Sequence, residues 1–281
     1  MKIIDTHIHL SHIESFQHTA KNISQVNYTH QGLLDEMYHS GVIHSIGMGL
    51  HEMEGGQGFP DKSAVTPMGL DLLKGSCKQI SLCAGINPYR LSKGDLHKLE
   101  RVLLDERTVG IKIYLGYYPF FPYDKVYQPV YELARRYSLP VVFHTGDTYS
   151  KRGLLKYSHP LSIDEVAVYH PEVTFILAHL GDPWMLDAAE ILYKNDNVYA
   201  DLSGLIVGSE KEVERICAIP HYFDHFRHAL AYGDSYDKLL FGSDWPLVPL
   251  IPYINFIKSV IPAEHWEDVF YNNALKVFKK L

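Results

Sequence analysis

Two histidines separated by one residue end a strand-like run near the start of the chain, where residues 2–10 read KIIDTHIHL. Side chains on a strand alternate between its two faces, so His7 and His9 point the same way. Two imidazoles placed in this manner can bind one metal ion. For this motif taken alone, a pair of packed, hydrogen-bonded core histidines is the alternative.

Three later apolar runs end in His144, His179 and Asp244. An unpartnered polar group in apolar surroundings costs several kcal/mol, so each of these side chains needs a partner. Neutral imidazoles and one carboxylate around a divalent cation would meet that need. The ligand set suits zinc, with manganese, iron or cobalt as alternatives. Histidine accounts for 17 of the 281 residues, so its repeated placement at strand ends favours a metal site over coincidence.

Short apolar, β-branched runs alternate with helix-like segments along the chain, as in a parallel sheet built from strand-helix units. The predicted strands are Ile3–Thr6, Val42–Met48, Ile80–Ile86, Gly110–Tyr114, Val141–His144, Thr174–His179, Val198–Leu202 and Lys238–Gly242. The predicted helices are Leu33–His39, Asp95–Leu104, Lys125–Tyr137, Ile163–Tyr169, Pro183–Tyr193, Glu210–Cys217, His221–Tyr232 and Ile251–Val260. This alternation predicts an α/β fold, a (β/α)8 TIM barrel forming a single domain over residues 1–281. In such a barrel the strand ends meet at one rim, which would bring the polar strand ends into a shared pocket. We expect a plain loop at residues 50–60, with a mobile lid as the alternative.

Composition narrows the function further. The formal charge of -7 gives no basic surface for nucleic acid, so small-molecule substrates are the expected partners. The 3 cysteines have no paired spacing, which argues against a disulfide framework and fits a reducing compartment. No stretch of about 18 apolar residues predicts a membrane span. We therefore expect a cytoplasmic protein without nucleic-acid or membrane partners.

Taken together, five segments resemble the amidohydrolase superfamily, specifically its amidohydrolase-related (amidohydrolase 2) branch of metal-dependent hydrolases and decarboxylases. These segments are Asp5–His9, Phe143–Gly146, Ala178–Gly181, Phe241–Pro246 and Tyr271–Phe278. The resemblance covers nearly the whole chain. The resemblance depends on all five segments occurring in this order, because each segment alone is common in proteins.

The resemblance implies that a divalent ion is bound by four residues: His7, His9, His144 and Asp244. It places His179 beside the metal with this set, where it would orient or activate the water or substrate. One ion is expected rather than two.

Related families with two ions use a carboxylated lysine at the end of strand four, where this chain has Lys112. This residue is therefore a candidate second-metal bridge, and a buried lysine paired with a carboxylate is the favoured alternative. Deoxyribonucleases of the TatD type share the two-histidine strand, but they place a glutamate at the position of Lys112 and need a more basic rim.

The leading functional hypothesis is a hydrolase that cleaves an amide, lactone or ester bond in a small molecule with a metal-activated water, with Asp244 and His179 handling protons. A metal-dependent carboxy-lyase acting on an unsaturated or aromatic acid is the alternative. A non-catalytic barrel is disfavoured, because a structural site needs no poised proton carrier. Residues that follow the strands are candidates for substrate binding: Arg90, Tyr114, Thr148 and Trp245, with Asp147, Trp184 and Ser203 as further pocket residues.

An aromatic cluster follows strand four and consists of Tyr114, Tyr117, Tyr118, Phe120, Phe121 and Tyr123. It could form one wall of the pocket. Packing over the barrel or against a second subunit is the favoured alternative, since exposed aromatic patches mark interfaces. A homo-oligomer is accordingly one expectation.

Overall fold

A computed structural model of the chain describes residues 1–11, 14–49 and 77–281. Its centre is an 8-stranded sheet in which the strands follow one another in chain order and every adjacent pair is parallel. The strands are β1 (Ile3–Ile8), β2 (Val42–Met48), β3 (Ile80–Ile86), β4 (Thr108–Ile113), β5 (Val141–Phe143), β6 (Phe175–Leu177), β7 (Val198–Asp201) and β8 (Leu239–Leu240).

The two edges of this sheet meet, so that it forms a nearly closed barrel. Thr6 of β1 donates its backbone N–H to the carbonyl of Phe241 at 2.9 Å, and the N–H of Asp244 donates to the carbonyl of His7 at 2.8 Å. Ile8 and Trp245 form a parallel bridge just beyond. The fold prediction of a TIM barrel is confirmed.

Helices surround the barrel. They are α1 (Glu14–Thr19), α2 (His30–Ser40), α3 (Lys93–Leu103), α4 (Gln128–Tyr137), α5 (Leu155–Ser158), α6 (Ser162–Tyr169), α7 (Met185–Lys194), α8 (Glu210–Cys217), α9 (Asp224–Gly233), α10 (Leu250–Val260) and α11 (Asn273–Val277), with short 3-10 or π-helical turns beside several of them. Among the described residues, no helix combines the length and the apolar character needed to cross a membrane.

Local sequence signals explain several of these boundaries. Gly41 ends α2 in the left-handed conformation with φ 78°, as expected of a terminating glycine. Ser92 begins α3 with a capping box in which its hydroxyl accepts from the backbone of Asp95. The segment predicted as one helix from residue 125 to 137 divides into a 3-10 turn and α4. Pro129 lies in the first turn of α4, where its missing N–H costs nothing.

The barrel interior is apolar below the rim and polar at it. Val142 of β5, Ile176 of β6 and Leu240 of β8 belong to an inner cluster of buried apolar side chains. Two residues further along, on the same face, β5 is followed by His144. Apolar side chains of the strands therefore fill the barrel interior, and the polar residues at the strand ends face one opening. The sequence prediction missed three helices, α1, α5 and α11, and the loop predicted at residues 50–60 lies outside the described residues.

Candidate metal centre

The strand ends that were predicted to converge do so around one cavity of about 90 Å³. Its lining includes the four imidazoles of His7, His9, His144 and His179, together with the carboxylate of Asp244. All five side chains are buried. Sequence-distant groups therefore share one enclosed space at the carboxyl ends of the strands, where active sites of this fold lie.

The hydrogen bonds of His144 and His179 fix which ring nitrogens carry protons. Nε2 of His144 donates to the carbonyl of Asp147 at 2.8 Å, and Nδ1 of His179 donates to the carbonyl of Ser203 at 3.1 Å. Carbonyl oxygens only accept, so the other nitrogen of each neutral ring carries a lone pair. These two nitrogens, His144 Nδ1 and His179 Nε2, lie 3.2 Å apart. Two lone pairs that face each other at this distance need a shared partner, and a cation between or beside them would supply it.

His7 is oriented in the same way by a carboxylate. Its Nδ1 lies 2.8 Å from Oδ2 of Asp201, which fixes the proton on Nδ1 and leaves the lone pair of Nε2 facing the cavity. Burial and the nearby charge of Lys112 lower the pKa of His7 to about 3, so the ring stays neutral. A neutral imidazole with an inward lone pair is the form that binds a metal.

Asp244 supplies the negative charge of the cavity. Its Oδ1 lies 2.9 Å from Nε2 of His9 and 3.7 Å from Nε2 of His7, and it is buried without a further hydrogen-bond donor. Burial acts to raise the pKa of Asp244, but the surrounding imidazoles, His9 foremost, outweigh it and hold that pKa well below its usual range. Ligand atoms of these three residues lie within 4.8 Å of one another. A buried, ionised carboxylate oxygen among imidazole nitrogens fits a divalent cation.

Ligand atoms of His7, His179 and Asp201 also lie within 4.8 Å of one another. The carboxylate of Asp201, however, is already engaged on both oxygens: Oδ2 by His7, and Oδ1 by the backbone N–H groups of His179 and Ser203, each at 3.1 Å. Its pKa is held below the usual range, since the attraction of His7 outweighs the effect of burial. We therefore interpret Asp201 as the residue that orients His7 and His179.

Two residues at the cavity have left-handed backbone conformations, which residues other than glycine rarely adopt. His179 has φ 62° and Asp244 has φ 65°. Each such conformation costs on the order of 1–3 kcal/mol and persists only where the surroundings enforce it. Gly204 (φ 70°) packs against both, and a Cβ there would lie 2.7 Å from Nδ1 of His179.

Lys112 lies fully buried on β4, with Nζ 3.5 Å from Nε2 of His7 and 5.3 Å from the ring centre of Tyr114. Burial lowers the pKa of Lys112 to about 8, against the opposing attraction of Asp201 and Asp244. It forms no ion pair within 4.0 Å with a carboxylate of the described residues, so its closest charged neighbours act on it through space. Lys112 is thus buried as the favoured alternative expected, but without the expected carboxylate pair among the described residues, and the second-metal bridge stays a prediction.

The predicted substrate-binding residues are separated by the fold. Tyr114 lines the cavity, whereas Arg90, Thr148 and Trp245 are not part of its lining among the described residues. Arg90 is half-buried after β3, and the hydroxyl of Thr148 donates to the carbonyl of Ser150 at 3.1 Å. Trp245 is fully buried behind the cavity, where its indole N–H donates to Glu36 at 3.0 Å.

The aromatic cluster after β4 is mostly internal. Tyr114, Tyr117 and Tyr118 are buried, and the first two line the cavity. Tyr117 packs edge-on against His144, with ring centres 4.7 Å apart. Three of the six residues of the proposed interface patch are thus buried inside the protein, and the homo-oligomer stays a prediction.

Sequence reasoning missed Asp201 and the outer wall of the cavity. Asp201 ends β7, an apolar strand, so the rule that selected the other strand-end residues would have found it. Phe16, which stacks on His9 with ring centres 4.6 Å apart, and Tyr149 at the mouth come from segments with no strand-end signal.

A sequence model of the amidohydrolase family matches residues 83–280, more than half of the chain. The chain belongs to this amidohydrolase family. Members of the family are metal-dependent enzymes that act on small molecules, and the resemblance stated from the motifs is confirmed. A search of curated protein sequences found no significant match to this amidohydrolase.

Solved structures with the same fold cover almost all of the amidohydrolase. The 2,6-dihydroxybenzoate decarboxylase from Rhizobium is 17% identical, with a TM-score of 0.67, and 99% of each chain is covered. A probable 2-pyrone-4,6-dicarboxylic acid hydrolase from Acinetobacter baumannii is 16% identical, with a TM-score of 0.65, covering 99% of this chain and 100% of that one. A manganese-bound 5-carboxyvanillate decarboxylase from Novosphingobium aromaticivorans is 12% identical, with a TM-score of 0.63, covering 99% of this chain and 97% of that one. At these identities the likeness establishes the fold alone.

Proposed function

We propose that this amidohydrolase is a metal-dependent hydrolase that cleaves an amide, lactone or ester bond in a small molecule. One observation carries the proposal: Oδ1 of Asp244 is buried, ionised and without a hydrogen-bond partner, 2.9 Å from Nε2 of His9, in a cavity where imidazole lone pairs face one another. A hydrogen-bonded core would not leave these atoms unpaired, because each would carry a desolvation cost.

The residues that would hold the ion are His7, His9, His144 and Asp244, with His179 beside them. Imidazole nitrogen and carboxylate oxygen suit zinc, and manganese is the main alternative given the manganese-bound structure of the same fold. When bound there, a divalent cation polarises a substrate oxygen and lowers the pKa of a water molecule towards neutrality.

Asp244 is placed to act as the general base. Its carboxylate is ionised at neutral pH and lies at the cavity surface, so it can accept a proton from the attacking water and return it to the leaving group. His179 presents the lone pair of Nε2 to the same space. If Asp244 passes the proton of the attacking water to this nitrogen, the nitrogen can donate a hydrogen bond to the oxyanion that develops on the substrate before that proton reaches the leaving group.

The walls of the cavity limit the substrate. Phe16, Tyr114 and Tyr117 present aromatic surface, and Val207 and Leu247 add aliphatic surface. Such walls suit a flat or unsaturated ring better than a flexible polar chain. The aromatic walls also favour a second candidate function, a carboxy-lyase acting on an unsaturated or aromatic acid. A decarboxylase of an aromatic acid shares the fold, which supports this candidate.

The test is to strip the purified protein with a chelator, reload it with zinc or manganese, and supply lactones, amides and aromatic carboxylates. Proton release with bond cleavage, restored by metal and abolished in Asp244→Asn, is the expected result. Release of carbon dioxide instead would replace the hydrolase with the carboxy-lyase. Equal turnover in the stripped protein, or in Asp244→Asn, would refute the mechanism.

A further inference from the structure

The residue that carries the carboxylate of the site, Asp244, lies at the start of an irregular segment between β8 and α10, which we call the β8–α10 segment (residues 241–249). The barrel holds the start of this segment, since the backbone N–H of Asp244 donates to the carbonyl of His7 at 2.8 Å, but the left-handed φ of 65° at Asp244 makes the position of Oδ1 beside His9 depend also on how the rest of the segment is held. The ligand geometry therefore depends on what holds this segment.

One carboxylate outside the barrel contacts the middle of the segment and the residue that directly follows it. Glu36 lies on α2 and accepts from the indole N–H of Trp245 at 3.0 Å with Oε1. With Oε2 it accepts from the backbone N–H of Leu250 at 2.9 Å, the first residue of α10. Each oxygen of Glu36 thus holds one end of the chain between Asp244 and α10.

Trp245 connects this carboxylate to the site. Its side chain is fully buried, and its carbonyl accepts from the backbone N–H of His9 at 2.7 Å. Its own N–H donates to the hydroxyl of Ser243 at 3.0 Å. A shift of the indole would therefore move the backbone on either side of Asp244 and, through the carbonyl, the backbone of His9.

We propose that Glu36 is a positioning residue for the metal centre, acting through Trp245 on Asp244 and His9. The predicted effect of Glu36 on metal binding rests on the proposed function. The predicted effect of Glu36 on the position of the β8–α10 segment does not rest on it. The competing role for Glu36 is local, because its bond to Leu250 also caps the first turn of α10, which has no side-chain cap of its own from Pro249.

Substitutions separate the two roles. Glu36→Ala removes both bonds, whereas Trp245→Phe removes the indole N–H and leaves the cap of α10 in place. Glu100→Gln is the matched control, because Glu100 also joins two helices on the outside of the barrel, accepting from Tyr137 and Arg136, each at 2.7 Å. Trp245→Phe also guards against the case in which Glu36→Ala fails to fold.

Two readouts are measured on the full chain. The first is hydrogen–deuterium exchange of the peptide spanning residues 243–250 in metal-free protein, which reports on the segment without any ion. The second is the affinity for cobalt, with its visible absorption as a report on ligand geometry. Loss of an interaction behind a metal ligand typically weakens metal binding about 10–100-fold.

We expect Glu36→Ala and Trp245→Phe each to speed exchange in this peptide and to weaken cobalt binding by roughly threefold to tenfold, less than the loss of a direct partner of a ligand, because Glu36 acts through Trp245. The double variant should be no weaker than Glu36→Ala, since both changes break the same connection. Glu100→Gln should match the wild type in both readouts.

Weaker cobalt binding in Glu36→Ala with normal binding in Trp245→Phe would overturn the proposal in favour of the capping role. Unchanged exchange in both variants would overturn it as well. If the wild type binds no cobalt, the proposed function fails, and the exchange comparison alone decides whether Glu36 fixes the segment.

Discussion

Replacing Asp201 with asparagine should weaken metal binding while leaving the barrel folded. Asparagine has nearly the same shape, but it offers one acceptor oxygen where the carboxylate offers two. The wild-type carboxylate accepts from His7 Nδ1 at 2.8 Å on one oxygen and from the backbone N–H groups of His179 and Ser203 at 3.1 Å on the other. An amide cannot satisfy both sides.

Each orientation of the amide has a cost. If its oxygen faces the backbone N–H groups, its NH2 faces Nδ1 of His7, which then must accept, and the proton moves to Nε2, the nitrogen that faces the cavity. If its oxygen faces His7, the NH2 opposes two backbone N–H donors. A hydrogen bond to a charged group contributes roughly 1.5–3 kcal/mol. That range corresponds to a loss of metal affinity of about 10–100-fold, the usual effect of removing such a partner.

The assay is competition for zinc against a chromophoric chelator, with circular dichroism to verify the fold. Asp147→Asn is the matched control: it removes a negative charge at the same cavity, but His144 contacts only the backbone carbonyl of Asp147. We expect the control to bind zinc within about threefold of the wild type, since only a through-space charge is lost. Equal affinity in Asp201→Asn and the wild type would refute the orienting role of Asp201.

Three further outcomes are expected. Gly204→Ala should abolish the stabilisation of the protein by added zinc in thermal unfolding, because the new Cβ would lie 2.7 Å from Nδ1 of His179 and 3.0 Å from Oδ2 of Asp244; a normal zinc-induced shift would contradict this. Burial raises the pKa of Asp5 to about 7, so the folded state binds this proton more tightly and stability falls as pH rises from about 4 to 7. In metal-free protein, Asp5→Asn should remove about 2 kcal/mol of the fall between pH 5 and 7 in urea unfolding, and an unaltered pH dependence would contradict the assignment. Lys112→Met should leave one zinc per chain by metal analysis, whereas a change from two ions to one would identify Lys112 as a second-metal bridge.

The architecture followed from the sequence because strand and helix periodicities repeat along the chain, and every predicted strand that falls on described residues overlaps an observed one. Boundaries were less accurate. The predicted strand from residue 174 to 179 is observed only as Phe175–Leu177. His179 lies in a left-handed turn, where its backbone N–H donates to the carboxylate of Asp201 at the end of β7. Such tertiary contacts leave no local signal.

The convergence of the site was also predictable, because strand order alone brings the strand ends to one rim. The residues that surround the site could not be predicted from the sequence. Trp245 adjoins Asp244 in sequence and was expected in the pocket, but the left-handed backbone at Asp244 directs the indole away, towards Glu36. Glu36 and Phe16 lie on helices whose docking is decided by packing, so neither could be assigned to the site from its own segment.

The most direct test of the account is equilibrium dialysis of the metal-free protein against zinc and manganese, followed by metal analysis of the protein. We predict one tightly bound ion per chain in the wild type and at least about a tenfold loss of affinity in both His9→Ala and Asp244→Ala. A wild-type protein that retains no ion above the dialysis buffer, or variants that retain it equally well, would contradict the central claim that these side chains form a metal centre.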